Sequence, residues 1–317
     1  MKEHLERLNE EQRRAVVHPC GPMLVLAGAG SGKTRVLTLR LAWLIQEAGV
    51  APWETLAVTF TNKAAGEMKE RVGQLLGSSA ADCWVSTFHS TCLRILRREV
   101  EWVDGLEPDF VIYDDRDSKE LTKLIMKELR VPDSVNPRAI SAAIDRAKND
   151  GQDPEALAAA RRSDIDPRTP EIYRRYQERL RQANAVDFGD LILETVKLFE
   201  GRPEVLQRYR DRFRHVLVDE YQDTNHVQYR LICLLADHGD RNIVVVGDED
   251  QSIYSFRGAD IRNILDFERD FEGATVVRLE RNYRSTETIL KAAGAVVEAN
   301  TERLGKTLWT DAGSGEP

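Results

Sequence analysis

Short runs of apolar residues alternate along this chain with longer stretches whose apolar positions recur every three or four residues. Met23 to Ala27, Thr55 to Phe60 and Cys83 to Ser86 read as buried strands, as do His215 to Val218, Asn242 to Val246 and Thr275 to Leu279 much later. Between them, Ala65, Met68, Val72, Leu75 and Leu76 share one face at helical spacing and Gly77 supplies a stop. Phe88, Cys92, Ile95 and Leu96 mark another helix, and further helical stretches follow the glycine-rich turn after Ala27 and run from Val227 to Leu235. Continuous apolar strands separated by helices predict an α/β fold with a parallel sheet flanked by helices on both faces.

The middle of the chain breaks this rhythm. From Gly105 to Asn184 only Phe110 to Tyr113 resembles a strand, and the rest reads as helices punctuated by Pro132, Pro137, Gly151, Pro154, Pro167 and Pro170. A mainly helical inserted domain is therefore expected. It carries Arg161, Arg162, Arg168, Arg174, Arg175, Arg179 and Arg181 against Asp164, Asp166, Glu171 and Glu178, a local excess of three positive charges. That stretch is either a solvated helix face or a phosphate-contacting surface. Asp311 to Pro317 is small and polar, as in a frayed end or linker.

The 317 residues suit two domains, and 42% hydrophobic residues supply their cores. With 45 basic against 53 acidic residues the net charge is −8, which excludes a histone-like basic coat and confines any nucleic-acid contact to a local groove. No apolar run approaches the ~18 residues of a membrane span, and MKEHLERLNEEQRR has no apolar signal core, so no membrane or secretory segment is expected. Cys20, Cys83, Cys92 and Cys233 are scattered without a CxxC pair, which fits a reduced, cytoplasmic protein without structural zinc.

Chemistry concentrates at the predicted strand ends. Ala27-Gly28-Ala29-Gly30-Ser31-Gly32-Lys33-Thr34 lies between a strand and a helix, where glycines turn backbone N–H groups toward phosphate oxygens and the helix adds its dipole. Lys33 is placed for the β- and γ-phosphates of ATP and Thr34 for Mg²⁺. Ala27 stands where the strict pattern has glycine and is small enough to keep the turn. The strand His215 to Val218 ends in Asp219, placed to hold Mg²⁺ through water, and Glu220, placed to deprotonate an attacking water. A kinase has no need of that second acid, so the pair favours hydrolysis. Gln251, in Gly247-Asp248-Glu249-Asp250-Gln251, can bond both the γ-phosphate and the water, as a sensor would. Tyr254, Phe256 and Arg257 follow, with ring faces on which unpaired DNA bases stack without sequence preference. Phe60, Thr61 and Asn62, and Thr87 and His89, sit at two other strand ends, the rim where parallel sheets bind ligands. Thr61 and Thr87 are also good helix caps, and the two roles can coexist.

Taken in order, LNEEQ (8–12), AGAGSGKT (27–34), TFTNKAA (59–65), STFHS (86–90), VDEYQDTN (218–225), VVGDEDQSIYSFRGAD (245–260) and LERNYRS (279–285) resemble the motifs of superfamily 1 DNA helicases of the UvrD/Rep/PcrA family. The resemblance implies a RecA-like P-loop core over 1–105 and 189–281, a helical accessory insertion over 106–188 and the start of a second core over 282–317. It implies that Gln12 reads the adenine edge, that Tyr283 stacks on the adenine, and that Arg35 and Arg284 approach the nucleotide, Arg284 near the γ-phosphate. By the same resemblance Phe60, Asn62, His89, Tyr254, Phe256 and Arg257 line a single-strand track, Phe256 standing where relatives often have tryptophan. The implied activity is ATP-dependent 3′ to 5′ translocation on single-stranded DNA and opening of single-strand/duplex junctions, in repair or replication restart with protein partners from those processes. Later family motifs, including a second arginine contact to the γ-phosphate, are absent, so the chain is expected to be an amino-terminal half with weak ATP binding, slow hydrolysis and no unwinding of its own. A RecB-like helicase–nuclease subunit, a small-molecule kinase and an ATP-dependent DNA clamp are the competing readings. The kinase leaves Gln251 and the aromatic strip unexplained.

Overall fold

In chain order the main elements are α1 (Glu10–Val16), β1 (Met23–Ala27), α2 (Lys33–Gln46), β2 (Thr55–Thr59), α3 (Asn62–Leu76), β3 (Trp84–Thr87), α4 (Phe88–Arg98), β4 (Val111–Tyr113), α5 (Asp115–Glu128), α6 (Pro137–Asn149), α7 (Thr169–Gln182), β5 (Ala185–Asp187), α8 (Phe188–Gly201), β6 (His215–Val218), α9 (His226–Ala236), β7 (Ile243–Gly247), β8 (Thr275–Leu279) and α10 (Glu287–Val297). The computed structural model describes residues 1–300 and 303–315, apart from the side chain of Arg257.

The chain divides into two compact units: residues 1–87, 207–224 and 235–317 form one, and residues 88–206 and 225–234 the other. The first is built on six parallel strands in the order β3-β2-β6-β7-β1-β8. Six of the sequence-predicted strands lie in this sheet, with ends shifted by one residue at most, Phe60 falls just beyond β2, and the seventh, Phe110 to Tyr113, is β4 of a separate pair. Register aligns Leu24 with Val245 and Ala27 with Leu279, so β1, β7 and β8 end together at one rim. Strand β1 is buried along its whole length and packs with Val36, Leu37, Leu41, Ala57, Leu217 and Val246 in one core. That continuous burial is why its sequence shows no alternation. Helix α10 is the exception: it has no buried residue although it reads ETILKAAGAVV, and Ile289 and Val296 are exposed.

The second unit has its own core, which includes Ile125, Ile140, Ile144, Ile172, Tyr173, Tyr176 and Leu180 from α5, α6 and α7. Strands β4 and β5 pair in parallel there. At three residues, Ala185–Asp187 is too short to show a period, and the sequence reading missed it. The helical insertion read as 106–188 thus belongs to a wider packing unit, because α4 packs along α8 within it. Of the seven arginines considered as a phosphate surface, six are engaged by carboxylates: Arg162 with Asp164, Arg168 with Asp166, Arg174 with Glu155, Arg175 with Glu178, Arg179 with Glu128 and Arg181 with Glu194. This favours the solvated-face reading. Among the described residues no helix is long and apolar enough to cross a membrane, and the four cysteines are free thiols.

Candidate functional site

The loop after β1 turns twice through backbone that side chains resist. Gly30 has φ +70° and Gly32 φ +92°, and Gly32 caps α2 immediately before Lys33. There is no room for a side chain either. A Cβ on Gly30 would lie 2.7 Å from Cβ of Arg284, and one on Gly32 would lie 2.9 Å from Nε2 of Gln12. Ser31 closes the turn by donating from Oγ to the Gly28 carbonyl at 2.7 Å. Ala27 is wholly buried as the last residue of β1, so its methyl points into the core and leaves the loop undisturbed.

Two outlying segments brace this loop. Gln12 donates from Nε2 to the Ser31 carbonyl at 2.8 Å, while its Oε1 accepts from the Asn9 N–H in a capping box that starts α1. One amide proton of Gln12 remains for a ligand. Asn282 donates from Nδ2 to the Ala29 carbonyl at 2.5 Å and accepts through Oδ1 from the N–H groups of Arg284 and Ser285. The Tyr283 N–H donates to the Gly30 carbonyl at 3.0 Å, and its hydroxyl accepts from Asn9 at 3.1 Å. Tyr283 is thereby held beside the loop with half its surface open, under the Arg281 guanidinium 5.1 Å from its ring centre. Arg35 and Arg284 are exposed on the same unit. Asn282 went unnoticed in the sequence. Its signal is an Asn two residues before Arg284, the spacing of a side chain that closes a turn on the backbone N–H ahead of it.

The acidic side of the site comes from β6. Asp219 follows Val218 directly, and its N–H donates to the Val58 carbonyl at 3.0 Å. Its carboxyl accepts from the Glu220 N–H at 3.1 Å and is hydrogen-bonded to the Thr34 hydroxyl. Burial and the neighbouring Glu220 charge push the Asp219 carboxyl up to about 6, against the opposing pull of Lys33 and those two hydrogen bonds. Asp223 is pushed up to about 6 by burial and by Glu220 as well. Glu220 sits in left-handed backbone, φ +49° and ψ +48°, an unusual place for a residue with a side chain. Its Oε2 lies 3.3 Å from Nζ of Lys33, a side chain only 10% exposed. Buried acids short of positive charge, with a hydroxyl on one of them, form a hard oxygen donor set that suits Mg²⁺.

From β7 comes the loop carrying Gln251. Its Nε2 donates to the Asp248 carboxylate, so the amide is engaged within its own loop. The ammonium of Lys306, almost fully buried, lies 2.7 Å from Asp248, 2.7 Å from Glu249 and 2.8 Å from Asp250. Lys306 was not anticipated, because nothing in local sequence ties it to acids so far upstream.

An aromatic strip runs beside the loop from β7. Phe60 stacks on Tyr254 with ring centres 5.4 Å apart and planes at 30°, and Tyr254 leans on Phe256 at 5.9 Å. Phe256 is 76% exposed, which no core aromatic would be. The Arg257 side chain lies outside the described residues. Thr61 caps α3 by accepting from the Ala64 N–H at 3.1 Å, and Asn62 opens that helix at the surface. Thr87 is buried at the end of β3. His89 belongs to the second unit, where its ring meets that of Phe188 edge-on at 5.9 Å and burial lowers its basicity. Phe188 is 50% exposed at the start of α8, an aromatic the sequence reading passed over.

A parallel sheet with a phosphate loop, a hydroxyl, a lysine and two acids gathered at one rim defines a P-loop nucleotide-binding protein. Comparison with known proteins takes the assignment further. The family described as UvrD/REP helicase N-terminal domain matches residues 8–272, and the chain belongs to that family. The ATP-dependent DNA helicase UvrD1 of Mycobacterium tuberculosis is 51% identical over 322 aligned residues, which cover 98% of this chain and 42% of the relative. The ATP-dependent DNA helicase PcrA of Bacillus subtilis is 49% identical over 98% of this chain and 42% of its own length. PcrA of Staphylococcus aureus is 48% identical over 98% of this chain and 43% of its own. The chain thus spans less than half the length of these relatives.

Proposed function

We propose that the chain forms the first motor core of an ATP-driven DNA helicase that moves 3′ to 5′ on single-stranded DNA and opens single-strand/duplex junctions. The single observation that carries this reading is the convergence of Lys33, Thr34, Asp219 and Glu220 at one rim, with Lys33 and Glu220 already paired at 3.3 Å. The loop of residues 27–34 cradles the phosphates. Lys33 leaves Glu220 for the β- and γ-phosphates, which frees the Glu220 carboxylate to take a proton from the attacking water. Thr34 and Asp219 would hold Mg²⁺, which neutralises phosphate charge when bound. Gln251 reports the γ-phosphate, Arg284 approaches it, and Gln12, Arg35 and Tyr283 hold the base and sugar side. Phe60, Thr61, Asn62, Thr87, His89, Tyr254, Phe256 and Arg257 serve the DNA track.

The exposed apolar α10 supports a further part of the proposal: residues 282–317 begin a second core, beside a first core over 1–105 and 189–281 and an accessory insertion over 106–188. The whole protein works in the cytoplasm, in repair or replication restart with partners from those processes. The chain by itself binds ATP weakly, turns it over slowly and does not unwind DNA. The test uses the whole protein, with ATP turnover measured with and without oligo-dT and unwinding measured on a 3′-tailed duplex. Glu220→Gln should keep ATP binding and lose both activities. A variant that kept turnover and unwinding would overturn the role given to Glu220, and a wild-type protein that bound DNA with ATP but neither moved nor unwound would leave the clamp reading.

A further inference from the structure

One buried side chain ties the two catalytic loops together. Gln222, 1% exposed, donates from Nε2 to Oε2 of Glu220 at 2.9 Å and reaches Oδ2 of Asp223 at 3.4 Å. Its Oε1 accepts from the Asp248 N–H at 3.0 Å, and its backbone carbonyl accepts from the Ser252 hydroxyl at 3.3 Å. Asp248 in turn accepts from Gln251. An unbroken chain of hydrogen bonds therefore runs from the proposed base, through Gln222 and Asp248, to the proposed sensor. Gly247 is pressed close to it: a Cβ there would lie 2.8 Å from Oε1 of Gln222, 3.3 Å from its backbone nitrogen and 2.8 Å from Cδ1 of Ile264.

We propose that Gln222 is a positioning residue for ATP hydrolysis, which holds the Glu220 carboxylate toward the attacking water and couples its placement to the Gln251 loop. The inference rests on the hydrolase reading above. A primary amide is the neutral group that can do this from both ends, with a donor for the carboxylate and an acceptor for the backbone N–H. Glu220 needs such a hold for two reasons. Its left-handed backbone has ready alternatives, and its one strong electrostatic partner, Lys33, is the residue that nucleotide draws away. With Gln222 in place the carboxylate stays anchored through Oε2 and presents Oε1. Without it, Glu220 is free to turn away while every phosphate-binding group remains.

The experiment compares the whole protein with Gln222→Leu, Glu220→Gln and the double variant. ATP affinity is read with a fluorescent ATP analogue, and steady-state and single-turnover hydrolysis are read with oligo-dT present. Gln222→Leu should bind ATP normally and lose about 10²-fold in kcat with little change in KM. In the Glu220→Gln background the same change should cost nothing more, because Gln222 acts through the carboxylate. Normal turnover in Gln222→Leu, or losses that multiply in the double variant, would overturn the proposal. If Gln222→Leu does not fold or bind ATP, Gly247→Ala displaces the amide from the other side and decides the matter: lowered kcat at retained affinity supports the proposal, and unchanged kcat ends it. Wild-type protein without ATP turnover would instead sink the hydrolase reading, and this proposal with it.

Discussion

Each of the two units buries charge, and the Lys148 cluster of the helical unit and the acids beside the phosphate loop of the sheet unit are partnered differently. In the helical unit Lys148 is 1% exposed, 2.6 Å from Asp187 and 2.8 Å from Asp190. Tyr176 donates to Asp187 at 2.9 Å, and Gln177 donates to Asp190 at 3.0 Å. Burial alone would push the Lys148 ammonium down, but the two aspartates outweigh it and hold the group above its ordinary range. Burial and Asp190 still raise Asp187 there, and at the sheet rim Asp219 and Asp223 are pushed up to about 6, opposed by Lys33 as the one nearby cation and, at Asp219, by hydrogen bonds from Glu220 and Thr34. A buried charge whose partners are complete holds structure together. A buried charge left short of partners marks a place where something else binds.

The largest effect should come from breaking the completed cluster. Lys148→Met leaves two acids buried beside each other and should cost about 3–5 kcal/mol of stability, measured by chemical denaturation. A loss below 1 kcal/mol would show that water reaches the aspartates and that the two clusters are alike. At the sheet rim the sign reverses. Asp219→Asn should raise stability by about 3 kcal/mol at pH 7, because it removes a carboxylate that is held about two pKa units too high. The gain is full above pH 6 or so, where the native carboxyl is charged, and fades as pH falls through about 6. It is gone below the ordinary value of 3.8, where both states are protonated. ATP turnover should be lost in the same variant. A destabilised Asp219→Asn would mean that the rim is as self-sufficient as the Lys148 cluster.

A smaller effect is expected at the aromatic strip, where nothing is buried to lose. Phe256→Ala should leave the melting temperature unchanged and weaken oligo-dT binding by the whole protein by about 1–3 kcal/mol, the worth of one base stack. Unchanged DNA affinity would return Phe256 to the status of an ordinary exposed ring.

The contrast between the units also explains what the sequence disclosed. The sheet was legible because its central strands β1, β6 and β7 are short, nearly continuous apolar runs, and the phosphate loop and Asp219-Glu220 were legible because both lie on contiguous residues at strand ends. What escaped depends on residues far apart in the chain. Lys148 meets Asp187 and Asp190 across three elements, Lys306 closes on acids more than fifty residues upstream, and Asn282 braces a loop at Ala29. Gln222 escaped for another reason: its neighbours Glu220 and Asp223 are more conspicuous chemically, and only its Oε1 contact with Asp248 reveals a bridge. Local pattern reports local geometry, and the polar groups that join loops leave no period to read.

The smallest expected effect is also the sharpest check on how charge is used in the helical unit. Arg174 is 3.0 Å from Glu155 and also engages Glu171. Both carboxylates are exposed, so the pairing is screened and its contribution to stability is slight. Arg174→Ala should therefore leave the denaturation midpoint where it is. It should also leave the salt dependence of single-strand binding unaltered. An arginine that neutralised a phosphate would contribute about 0.7 to the slope of log K against log salt, and its removal would flatten the slope by that amount. A flattening of that size would mean that DNA outcompetes Glu155 and Glu171 for the guanidinium. The excess of positive charge on this stretch would then be a binding surface, with the carboxylates acting as its placeholders.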